Sequence, residues 1–137
     1  MSILKNLKKI SSKNGKQPLT NFHLSHPDKL LYPDVNITKL DLANYYFAIA
    51  KWILPYILKR PLTLLRCPNG QNKKCFYQRH LTTETENLYA ITLPDKTDKP
   101  EPYLYIKDEQ GLMALIQLGV LEIHPWASKI DKIEKPD

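Results

Sequence analysis

The sequence predicts an α+β fold. Two stretches carry apolar residues at helical spacing, several short runs are rich in strand-favouring residues, and the two kinds alternate without the regular spacing of βαβ units. At 137 residues the chain is long enough for one domain with a true core and too short to favour a second.

Residues 1–20 read as a basic flexible tail. Lys5, Lys8, Lys9, Lys13 and Lys16 are scattered among Ser, Asn, Gly and Gln, with too little apolar surface to offset the entropy of ordering. The stretch is either a basic arm that settles on a partner or an unstructured terminus. The folded unit is expected over 21–137.

The first helix is signalled by Thr38 as N-cap with Asp41 three residues on, a capping-box start. Leu42, Tyr45, Tyr46, Ile49, Ala50 and Ile53 then recur on one face, and Pro55 is expected to end or kink the helix, with a short helical turn over Tyr56–Leu58. Strand-like runs follow at Pro61–Cys67 and Lys74–Arg79, joined through Pro68-Asn69-Gly70 as a hairpin with a longer loop. Leu88–Leu93 and Tyr103–Ile106 are two further strands, and the proline-rich stretch Pro94–Pro102 between them reads as loop. Asp108 caps a second helix whose buried face is Leu112, Met113, Leu115 and Ile116, with Gly119 at its C-terminal end. Val120–Ile123 is a short strand ending at His124-Pro125-Trp126. Residues 127–137 are polar and read as an unfinished stretch.

The net charge of +6 is unevenly distributed. Residues 29–80 carry nine Lys and Arg against Asp34 and Asp41, whereas residues 81–137 carry six Lys against eleven acids. Such asymmetry suggests a one-sided positive face, as polyanion binders have, or else lysines that are merely solvated. No uncharged stretch is long enough to span a bilayer, and the lysine-bearing N-terminus has no apolar block before a small-residue cleavage site. Two cysteines do not make a disulfide scaffold, so Cys67 and Cys75 are expected as free thiols in a reducing cytosol, packed as small buried residues.

Catalytic signatures are sparse. Cys67, Cys75 and His80 lack the close Cys pairs and fourth ligand of a structural zinc site. Glu84/Glu86 and Asp95/Asp98 lie in polar loop-like surroundings, no Asp-x-Asp closes a strand, and there is no phosphate-binding Gly-rich loop and no G-x-S-x-G elbow. The cations and rings are more informative. Arg66, Lys73, Lys74, Phe76, Tyr77 and Arg79 interleave on or beside one hairpin. Strand alternation puts Phe76 and Tyr77 on opposite faces, so one can pack inward while the other is exposed. An exposed ring beside cations suits stacking on an unpaired base while its phosphates are held.

Several ordered motifs carry a family resemblance. They are His26-Pro-Asp-Lys-Leu-Leu-Tyr-Pro33, Ile37-Thr-Lys39 opening a helix with Tyr45-Tyr46, and Arg60-Pro61. Arg66-Cys-Pro-Asn-Gly70, Cys75-Phe-Tyr-Gln78, Asp108, Gly111-Leu112, Leu118-Gly119 and Leu121-Glu-Ile-His-Pro-Trp126 follow in order. From about residue 20 to residue 137 the chain resembles the polymerase domain of bacterial ligase D, a member of the archaeo-eukaryotic primase superfamily that works in non-homologous DNA end joining. The resemblance implies the N-terminal portion of a primase-type domain, with a mixed or antiparallel sheet and two main helices.

By that resemblance Lys29 and Lys39 bind the recessed 5′-phosphate of a DNA end. Two ammonium groups, one near a helix N-terminus, fit that task. Phe76 and Tyr77 stack against the template, with Arg79 the basic residue beside them, and His124 and Arg66 contact the nucleotide. The family's catalytic acids, on an Asp-x-Asp strand, follow the segment matching Lys135-Pro-Asp137. This sequence stops before them, so no catalytic residue and no metal ligand is assigned, and Mg²⁺ or Mn²⁺ is expected only if a second half completes the domain. The resemblance thus implies a DNA-end-binding module of a nucleotidyltransferase, inactive alone. Two alternatives are a subunit of a split primase-type polymerase and a non-catalytic interaction protein or gene remnant. The expected partners are DNA ends, a chain carrying the missing half, and a DNA ligase or Ku, in a bacterial cytoplasm at the nucleoid and without a membrane.

Overall fold

A computed structural model describes residues 22–94 and 97–137; the predicted tail lies outside the described residues. Among the described residues, two helices and three small antiparallel sheets build an α+β fold. Strand β1 (Leu30–Tyr32) pairs with the two-residue β2 (Ile37–Thr38) across a 3-10 turn at Pro33–Val35. Helix α1 (Lys39–Ile57) starts directly from β2. Its capping box is complete: the Asp41 amide donates to Thr38 Oγ1 at 3.1 Å, and the Thr38 amide donates to Asp41 Oδ2 at 2.8 Å.

Pro55 does not end the helix. It sits on the exposed side of the last turn, and Ile57, only 4% exposed, anchors the helix end in the core. Losing one ladder bond there costs less than releasing that side chain.

The three-stranded sheet has the order β4–β3–β7, with β3 (Leu62–Arg66) between β4 (Phe76–Gln78) and β7 (Val120–Pro125). Leu62 and Leu64 on the inner face of β3 are fully buried. In the same core lies α2 (Glu109–Gln117), packed against α1 and β7, whose Leu112, Met113, Leu115 and Ile116 are all buried as its periodicity predicts. Asp108 caps α2 by accepting from the Gly111 amide at 3.0 Å. Gly119 follows with φ +78, the left-handed conformation that ends a helix.

Strands β5 (Tyr89–Pro94) and β6 (Pro100–Tyr105) correct the loop predicted over Pro94–Pro102. The ladder runs out to Thr92 opposite Pro102 and Pro94 opposite Pro100. Pro102 O accepts from the Leu81 amide at 2.8 Å, so the Pro102 nitrogen faces away from β5, and prolines at alternate positions forfeit no β5–β6 bond. Residues 127–137 are also more ordered than their polarity suggested. The buried Arg60 guanidinium donates to the carbonyl oxygens of Trp126 (3.3 Å) and Ala127 (2.7 Å) and pairs with Asp137, while the Ile130 amide donates to Lys59 O at 2.8 Å.

The cysteines depart from expectation as well. Cys67 and Cys75 are joined in a disulfide, their Cα atoms 4.4 Å apart. They flank the paired residues Arg66 and Phe76, so the hairpin register brings them face to face.

Candidate functional site

The loop Cys67–Gly70, strand β1, the start of α1 and the α2–β7 junction meet at one cavity of about 200 Å³. Close backbone approach makes this possible. A Cβ on Gly70 (φ +102) would stand 2.8 Å from Leu30 O, and one on Gly119 would stand 2.8 Å from Pro68 Cα. Backbone bonds from the Cys67 amide to Gly119 O (2.8 Å) and from the Gln71 amide to Leu31 O (2.7 Å) lock the pieces together.

Lys29, Lys39 and Arg66 all line this cavity, with His26, Ser25 and Gln117. Lys29 Nζ donates to Pro68 O at 2.7 Å, and Lys39 Nζ donates to Ser25 O at 2.9 Å. Arg66 Nε donates to Leu118 O at 3.2 Å. Three cations therefore converge, with no carboxylate among the described residues that line the cavity. The first amides of α1 are already engaged: Lys39 N donates to Lys29 O (2.8 Å) and Leu40 N to Pro27 O (3.0 Å). An anion here would meet ammonium and guanidinium groups rather than free helix N–H groups.

Burial, and then the neighbouring Lys29 ammonium, pull the Lys39 amine down to about 8. Its unfolded value is near 10.4. Between these values the unfolded chain holds the proton that the folded chain has released, so stability should rise as pH increases from about 8 to about 10.4. The check is urea unfolding across that range. The increment should shrink in Lys39→Met, and an identical profile in both proteins would contradict the assignment.

Arg66 also lines a second, more open groove of about 430 Å³, with Phe76, Tyr77, Gln78, Arg79, His80 and Thr82. Its guanidinium lies 5.0 Å from the Phe76 ring centroid, and Nη1 donates to Gln78 Oε1 at 2.9 Å. Both rings of the pair are exposed, Phe76 at 42% and Tyr77 at 68%, so neither packs in the core. Register explains their separation. Tyr77 pairs with Leu65, which pairs with Glu122, and Thr63 pairs with His124. Tyr77, Glu122 and His124 thus share the outer face of the sheet, while Phe76 belongs to the face of Arg66 and Gln78.

His124 lines neither cavity and is not gathered with Arg66. It is exposed, with Nε2 3.0 Å from Glu122 Oε2. Glu122 in turn acts on Tyr32, whose phenol is pushed up by burial and then by that carboxylate. Among the described residues no three His, Cys, Asp or Glu side chains are grouped to hold a metal ion, and no helix is long and apolar enough to cross a membrane.

Residues 38–137 match the family model of the LigD primase-polymerase domain. The chain belongs to that family. It is similar to the multifunctional non-homologous end joining protein LigD of Pseudomonas aeruginosa, 28% identical over 136 residues that make up 98% of this chain and 16% of the relative. The corresponding protein of Mycolicibacterium smegmatis is 30% identical over 110 residues, covering 80% of this chain and 14% of that protein. The polymerase domain of Mycobacterium tuberculosis ligase D, solved in complex with DNA, superposes with a TM-score of 0.73 at 30% identity. That match covers 80% of this chain and 38% of the solved one. The chain therefore spans about a sixth of the curated LigD proteins and well under half of the solved domain.

Within this LigD-type fold, sequence reasoning missed three residues that line the cavity, His26, Ser25 and Gln117. His26 adopts φ +54, a left-handed conformation unusual for a residue other than glycine. Ser25 and Gln117 bind each other across 92 residues of sequence: the Ser25 amide donates to Gln117 Oε1 at 2.9 Å, and Gln117 Nε2 donates to Ser25 Oγ. Nothing local in a single sequence signals a contact of that span.

Proposed function

We propose that this chain is a DNA-end-binding module of the LigD polymerase type, holding a recessed 5′-phosphate and the adjoining template strand. The observation that carries the reading is the convergence of Lys29, Lys39 and Arg66 on one small cavity with no carboxylate among its described lining residues. A terminal phosphate is compact, doubly charged and rich in acceptors, which suits three cations better than a diester inside a strand does. Arg66, shared by the cavity and the groove, then joins phosphate recognition to the Phe76/Tyr77/Arg79 surface, where unpaired template bases stack. His124, on the outer face with Tyr77, is assigned to an incoming nucleotide, and Arg66 keeps a nucleotide contact only as a role secondary to the phosphate.

DNA ends are the primary partner, and a DNA ligase or Ku would meet the chain on such an end, at the nucleoid. A LigD-type relative solved with DNA supports this reading.

The test is a fluorescence titration at physiological salt with recessed ends that differ only in a 5′-phosphate or 5′-hydroxyl. Tighter binding to the phosphate is expected, and equal affinity would refute the proposal. On the groove side, Tyr77→Ala should weaken binding of a single-stranded template by roughly 1–3 kcal/mol. Unchanged affinity in both Tyr77→Ala and Phe76→Ala would remove the stacking role.

A further inference from the structure

We propose that Cys67 and Cys75 form a reversible couple whose oxidised state sets the grip of the phosphate cavity, an inference that rests on reading that cavity as a DNA-phosphate site. The disulfide closes the loop whose Pro68 lines the cavity. Inside that loop, Pro68 O holds the Lys29 ammonium at 2.7 Å and Asn69 Oδ1 lies 3.4 Å from it. Immediately outside the two cysteines stand Arg66 and Phe76, paired across the hairpin and in cation–π contact. One covalent bond therefore braces the loop that carries Pro68 and the strand that carries Phe76 together.

The two sulfurs differ in access. Cys67 is 1% exposed, whereas Cys75 is half-buried, so attack from solvent falls on Cys75. A protein that works on bacterial DNA works where thiols are kept reduced, and disulfides formed there are usually transient and redox-sensing.

The chemistry closes with two named classes of reagent. For reduction, one thiolate of a dithiol attacks Cys75 Sγ, the S–S bond breaks, and Cys67 leaves as a thiolate that takes up a proton. The second thiolate of the dithiol then attacks the mixed disulfide and releases the Cys75 thiolate, which is protonated in turn. Two electrons pass from the dithiol, which becomes a disulfide. For oxidation, the Cys75 thiolate attacks hydrogen peroxide, giving a sulfenic acid and hydroxide. The Cys67 thiolate attacks that sulfur, and the departing hydroxide leaves as water once protonated.

The experiment uses the full chain oxidised with stoichiometric hydrogen peroxide or reduced with dithiothreitol, its thiols counted with a chromogenic disulfide. Both forms are titrated with 5′-phosphorylated and 5′-hydroxyl recessed ends. We expect the oxidised form to prefer the phosphorylated end, the preference to fall about tenfold on reduction, and reoxidation to restore it. Cys75→Ser, which spares the buried Cys67 packing, should stay at the reduced level whatever the peroxide. Equal preference in both redox forms, thiols that peroxide fails to couple, or a peroxide response in Cys75→Ser would overturn the switch and leave the cavity assignment intact. No phosphate preference even in the oxidised form would overturn the cavity assignment and the switch with it.

Discussion

Replacing both Lys29 and Lys39 by alanine is expected to abolish discrimination between a phosphorylated and a hydroxyl DNA end. A charge-assisted contact to phosphate is worth about 1.5–3 kcal/mol, so the pair accounts for an affinity difference of a hundredfold or more. The ammonium groups dominate because the α1 amides that could have bound an anion already serve Lys29 O and Pro27 O. A residual affinity should survive, carried by Lys73, Lys74 and Arg79, and it should fall steeply with salt because it rests on counterion release. Each single variant should lose part of the preference, and circular dichroism should show the helices retained. A double variant that still prefers the phosphate would place the site elsewhere.

Primer extension provides the second large effect, with no incorporation expected from the 137-residue chain, even with manganese. Phosphoryl transfer of this kind needs acids that hold metal ions against a triphosphate. The acids best placed by the fold have other duties. Asp41 and Asp108 cap helices, Asp137 pairs with Arg60, and Glu122 pairs with His124. Adding a second polypeptide that carries the family's Asp-x-Asp strand should restore extension if the module acts as part of a split enzyme. Incorporation that copurifies with the chain alone and vanishes in Glu122→Gln would locate a metal site on β7 and defeat this expectation.

What sequence reasoning could reach follows from the range of each signal. Thr38 with Asp41 and Asp108 with Gly111 are caps written within four residues, and both helices start where those caps place them. The β3–β4 hairpin is nearly as local, since its turn residues announce it. Lys29 and Lys39 emerged from a motif resemblance, and their shared cavity became visible only once β1 lay across the start of α1. The resemblance groups Arg66 with His124, yet the fold brings Arg66 to the lysine-lined cavity while register turns His124 to the outer face, a distinction that depends on pairings some sixty residues apart. Pro55 does not stop the helix as expected, because a propensity cannot weigh the burial of Ile57 two residues on. The disulfide escapes the sequence expectation because redox compartment, rather than distance, decides that expectation.

The placement of β3 between a near neighbour and a far one also orders the birth of the fold. Its pairing with β4 closes across about a dozen residues, whereas Thr63 meets His124 across about 60, a costlier closure. On a ribosome that supplies residues from the N-terminal end, the hairpin can form early while the other edge of β3 waits for Val120–Pro125 to emerge. Until then Leu62 and Leu64 lack part of the core that buries them, and an apolar strand edge stands open to other nascent chains. Any shortened version that stops before β7 inherits that hazard permanently. Poor solubility of such versions would then reflect an interrupted assembly rather than a weak core.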